Sequence, residues 1–139
     1  MKTISSHNIT DEKLIDSNSS FSWKARIKSF GYAFEGIVCF FRSEHNAQIH
    51  LATTILVIVL SIALGINKWE AVAVVFSIAI VWITEMINTA IEKTTDLISM
   101  ERHPQIKCIK DISAGAVLIA SIAAALVGCF IFIPKLILL

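Results

Sequence analysis

Three long stretches without a charged side chain decide what this chain can fold into. Ala47 to Asn67 contains no Asp, Glu, Lys or Arg, Ile112 to Ile133 contains none either, and Ala71 to Ile83 is apolar except for Ser77. About 20 apolar residues in helical form cross the hydrocarbon of a bilayer, where each backbone polar group has to be satisfied within its own segment. The chain is 55% hydrophobic over 139 residues, with a mean hydropathy of +0.72, too apolar for a soluble domain of this size. The expected class is all-α integral membrane, with three transmembrane helices over residues 47–67, 71–98 and 110–134.

The rest of the chain fills in around these spans. Residues 1–20 are polar and without periodicity and read as a mobile tail, with no apolar run of the signal-peptide kind. Residues 21–139 form a single membrane domain. Within 21–42, Trp23, Ile27, Phe30, Phe34, Ile37, Val38 and Phe41 recur at helical spacing, while Lys24, Arg26, Lys28 and Glu35 lie off that stripe. An amphipathic helix of this kind lies in a membrane interface. Residues 99–109 are expected to be a polar loop broken by Pro104, with Lys110-Asp111 opening the third span, whose Ala114, Gly115, Ala116, Ala120, Ala123, Ala124 and Gly128 suit close helix packing.

Basic residues set the orientation. Lys24, Arg26, Lys28, Arg42, Lys93, Arg102, Lys107 and Lys110 fall on one side, against Lys68 and Lys135 on the other. The positive-inside rule places the larger group in the cytoplasm. Net charge is +1, which names no nucleic-acid partner, and Cys39, Cys108 and Cys129 read as small buried hydrophobes rather than a disulfide or zinc framework.

The second span carries an acidic stripe. At about 100° per residue, Glu85, Asn88, Glu92 and Asp96 fall at roughly 0°, 300°, 340° and 20°, on one narrow face. A carboxylate in an apolar span costs on the order of 2.5–3.5 kcal/mol on insertion scales, so a stripe of them marks a polar site between helices. Glu44, Glu92, Asp96, Glu101, Lys110 and Asp111 gather at the cytoplasmic surface, and Glu85 lies about 10 Å deeper than Glu92. Carboxylates with lysines beside them can hold Mg²⁺ and a polyphosphate, and a buried carboxylate can take a proton from a hydroxyl. The pattern suits phosphoryl transfer from a cytoplasmic nucleotide to a membrane-embedded alcohol. A different reading of the same stripe is a non-enzymatic oligomer with an acidic ion or proton path, which does not require Glu44, Glu101, Lys110 and Asp111. No Walker or kinase glycine loop occurs, so a nucleotide site has to be built from the helices themselves.

These residues resemble the prokaryotic diacylglycerol kinases, a family that includes undecaprenol kinases. Glu85-Met86-Ile87-Asn88-Thr89-Ala90-Ile91-Glu92 with Asp96 is similar to the family signature, reinforced in order by Glu44, Glu101-Arg102-His103-Pro104 and Lys110-Asp111 ahead of Ala114-Gly115-Ala116. The resemblance implies one surface helix, three transmembrane helices and a homotrimer with sites between subunits, in the bacterial inner membrane. It implies ATP as donor, Mg²⁺ as cofactor, and diacylglycerol or undecaprenol as acceptor. By the same resemblance Glu85 is the catalytic base, supported by Asn88, Glu44 and Glu92 are the Mg²⁺ ligands, and Tyr32, Glu101, His103, Lys110 and Asp111 contact the nucleotide, with Asp96 beside them. An arginine of the family falls on Ala25 here, with Arg26 and Lys28 close by. Glu44-His45-Asn46-Ala47-Gln48-Ile49-His50 looks more like the undecaprenol kinase branch.

Overall fold

The computed structural model describes residues 22–98 and 103–138, all of them helical apart from short connections. The tail 1–20, Glu101 and most of the polar connection ahead of His103 lie outside the described residues. Four helices follow in order: α1 (Trp23–Ser43), α2 (His45–Ala63), α3 (Lys68–Ile98) and α4 (Pro104–Ile137). The last three are long and apolar enough to cross a membrane. The chain falls into two units, one ending at Glu35 and one beginning at Gly36. In the first, Ser29 Oγ donates to the Ala25 carbonyl at 3.0 Å and the Lys28 ammonium lies 5.6 Å from the centre of the Tyr32 ring.

The second unit is organised on α3, which pairs chiefly with α4. Val74, Val81, Glu85, Asn88, Thr89 and Thr95 are its buried residues, and their spacing puts them along one side of the helix. That side is apolar at one end and polar at the other. At the apolar end Val74 packs with Ile131 and Phe132 of α4, and Val57, Leu60, Leu64, Ile66 and Val127 close over them.

Local chemistry fixes the turn beside this core. Gly65 has φ of +58°, the left-handed region that a Cβ disfavours, and lets Ile66 N–H reach back to the Ser61 carbonyl at 3.2 Å. Asn67 then caps α3. Its Oδ1 accepts from Trp69 N and Glu70 N, at 2.9 and 3.1 Å, and Glu70 Oε2 accepts from Asn67 N at 2.7 Å. This reciprocal capping box satisfies amides that α3 leaves without helical partners. Lys135, in the last turn of α4, joins Glu70 at 3.1 Å.

Two expectations are corrected. The segment 104–109 is helix, not loop: His103 is the N-cap, its Nδ1 accepting from Gln105 N at 3.2 Å, and Pro104 follows as the first helical residue. Proline lacks an N–H that this position would leave unpaired, so here it starts a helix instead of breaking one. Lys110 and Asp111 consequently lie in the second turn of α4. The three cysteines are exposed, not buried, because each lies on a helix side away from the α3–α4 packing.

Two glycine substitutions separate the turn from the helix interior. Gly65→Ala should destabilise by about 1–2 kcal/mol, the penalty of a left-handed L-residue. Gly115→Ala, inside α4 with open space around its Cβ position, should hold or raise stability. Thermal unfolding in detergent reads both.

Candidate functional site

The polar end of α3 carries the site. Glu85 is 2% exposed, and its Oε2 lies 3.9 Å from Nε2 of His50 on α2. One turn on, Asn88 bridges two helices. Its Oδ1 accepts from Ser113 Oγ of α4 at 2.6 Å, and its Nδ2 donates to Glu92 Oε1 at 3.2 Å. The Ser113 hydroxyl also lies 2.9 Å from the Lys110 carbonyl. The amide orientation follows from the chemistry, since the Glu92 carboxylate needs a donor and the hydroxyl needs an acceptor. A buried amide on an apolar helix face thus has partners on both sides.

At the shallower end the charged residues are paired. Lys110 of α4 meets Asp96 of α3, and Lys107 meets Asp111 one turn along α4. Glu44, between α1 and α2, takes Lys93 of α3 at 3.3 Å and accepts from Ser43 Oγ at 3.2 Å. The shallow end of the acidic stripe therefore meets a lysine of α4 at Asp96, while the lysine of α3 itself, Lys93, turns to Glu44.

An aromatic cluster flanks Glu85. Trp82 lies with its ring centre 6.0 Å from Phe40, 5.3 Å from Phe41 and 6.3 Å from His50, and its Nε1 donates to Thr54 Oγ1 of α2 at 3.1 Å. Beside it, a cavity of about 340 Å³ opens between α2, α3 and α4, lined mainly by apolar side chains but with His50, Thr54 and Ser77 among them.

The structure brings together Glu85, Asn88 and Glu92 on one side of α3, Asp96 with Lys110, and Glu44 with Lys93. Asp111 is held by Lys107. His103 sits at the start of α4 as its cap. Tyr32 belongs to the unit ending at Glu35 and is described there with Lys28, and Glu101 lies outside the described residues. Among the described residues no three His, Cys, Asp or Glu side chains gather as a metal-binding group. Two residues escaped the sequence reading. Ser113 gave no signal, because its role depends on the register of α4 against α3. His50 did give one, as the titratable side chain of an otherwise uncharged span.

Long apolar helices, with a buried acid and amide and a half-buried second acid along one side of α3, suit a helical membrane protein with a polar site among its helices. Residues 31–132 match the family described as prokaryotic diacylglycerol kinase, and the chain belongs to that family of lipid kinases. It is 37% identical to the undecaprenol kinase of Bacillus subtilis (strain 168), over 78% of this chain and 89% of that one. It is 36% identical to a diacylglycerol kinase of Synechocystis, over 78% of this chain and 62% of the other. The diacylglycerol kinase of Escherichia coli (strain K12) is 29% identical over 82% of this chain and 93% of its own.

Replacing Ser113 with Ala should leave the Asn88 amide oxygen buried without its donor. A loss of about 1–3 kcal/mol is expected, measurable as a lower Tm in detergent.

Proposed function

We propose that this kinase transfers the γ-phosphoryl group of ATP to the head hydroxyl of a membrane lipid alcohol, at the cytoplasmic face of the bacterial inner membrane. The observation that carries the reading is the burial of Glu85 on the same side of α3 as Asn88 and Glu92. Glu85 lies about 10 Å deeper than Glu92 along the helix, at the level where a lipid hydroxyl would sit. In the transfer, the acceptor oxygen bonds to the γ-phosphorus while the bond from that phosphorus to the β,γ-bridging oxygen breaks. ADP leaves, and the hydroxyl proton passes to the Glu85 carboxylate. Asn88, tied to Ser113 and Glu92, keeps the row in register.

The shallow end suits a polyphosphate. Lys110 and Lys93 supply point charges, with Asp111, His103, Glu101 and Tyr32 proposed as further nucleotide contacts. Glu44 and Glu92 are proposed to hold Mg²⁺. A magnesium ion carried with a nucleotide takes one or two protein carboxylates and fills its shell with phosphate oxygens and water, so two carboxylates suffice as a donor set. Glu44 and Glu92 each engage a neighbour through Oε1, and the ion's chemistry when bound would be to neutralise charge on the transferring group.

The acceptor is undecaprenol or diacylglycerol. The likeness to the Bacillus subtilis undecaprenol kinase and the Glu44–His50 segment favour the prenyl alcohol. The chain is further proposed to act as a homotrimer with sites completed between subunits, which its mass in detergent tests.

Transfer of label from γ-³²P-ATP, with both lipids offered in competition, decides acceptor and activity together. Glu85→Gln should lower turnover by about 10²–10⁴-fold with an unchanged unfolding profile. Turnover close to the parent protein would remove Glu85 from the role of base.

A further inference from the structure

His50 is a polar group inside the helical unit that the reading above leaves without a part. Its Nε2 lies 3.9 Å from Glu85 Oε2, with side-chain exposures of 21% and 3%. The neighbouring charged groups are engaged elsewhere. On α3, Lys93 meets Glu44, Asp96 meets Lys110, and Glu92 accepts from Asn88. On α4, Lys107 meets Asp111, and Ser113, which is uncharged, bonds Asn88. The end of α1 contributes the rings of Phe40 and Phe41 against Trp82.

The imidazole is also held from behind. Trp82 presents its ring to His50 at 61°, edge-on, and is itself fixed by the bond from Nε1 to Thr54. Positions 50 and 54 are one turn apart on α2, and positions 82 and 85 are adjacent on one side of α3. Thr54, Trp82, His50 and Glu85 therefore form a relay of contacts that crosses three times between the same two helices. A carboxylate at the end of three side-chain torsions, in a largely apolar setting, has little else to fix its angle.

We propose that His50 is a positioning residue for phosphoryl transfer, holding the Glu85 carboxylate at the angle from which it takes the acceptor's proton. The proposal rests on Glu85 being the base. At 3.9 Å the contact is within ion-pair reach and longer than a hydrogen bond, and contacts of this kind commonly tighten once substrate is bound.

Kinetics and spectroscopy test it separately. His50→Ala should lower kcat by about tenfold to a hundredfold, the scale of a misplaced catalytic group, with KM for ATP nearly unchanged. His50→Gln, which keeps an N–H donor, should recover most of that loss. Adding His50→Ala to Glu85→Gln should cost nothing further, because the two act as one unit. With ring-¹⁵N histidine in the purified full chain and no substrate present, the His50 resonance should move on Glu85→Gln while those of His45 and His103 stay in place. A raised KM for ATP at full kcat, or an unmoved His50 resonance in an inactive Glu85→Gln protein, would overturn the positioning role alone. A Glu85→Gln protein that turns over normally would overturn the base assignment, and the positioning role with it.

Discussion

The structure depends on keeping one carboxylate out of water. Glu85 is buried on a helix that is otherwise built for hydrocarbon, and an uncompensated charge there is costly enough to dictate its surroundings. The fold answers by making one side of α3 serve as packing surface at one end and polar site at the other. Val74 settles that side against α4 and α2, and the same register delivers Glu85 and Asn88 to polar partners. Shifting α3 by one residue would rotate both ends by about 100° and undo them together.

Much of this was legible in the residues. The acidic stripe could be derived from helical period alone, and the three spans from the absence of charge. The pairing Asp96–Lys110 was foreseen only as a gathering at one surface, since two residues from different helices meet through their relative register. Pro104 misled because proline stops a helix when read from one side and starts one when read from the other; the deciding residue was His103, whose side chain caps the amide two positions on. Ser113 could not have been singled out among the small residues of α4. What distinguishes it is that α4 turns it toward Asn88, a fact of packing rather than composition.

His50 is an intermediate case. Its position in an uncharged span is visible in the sequence, but nothing there gives it a partner. The structure supplies the missing term by bringing α2 and α3 together at Trp82 and Thr54. Titratable groups in membrane helices repay attention for this reason: an isolated one in sequence is seldom isolated across helices.

The lysines at the shallow end have a thermodynamic consequence. Lys110 and Lys93 already hold carboxylates, so on the proposed reading an arriving polyphosphate would exchange partners with them instead of adding new ones. A phosphate that draws Lys110 away sets the Asp96 carboxylate loose, and the number of close charge pairs stays the same. On that reading, the freed carboxylates would oppose a bound polyphosphate and favour its release as they recover their lysines. On the proposed reading, the resting ion pairs act as an internal competitor that keeps the surface from retaining what it has used.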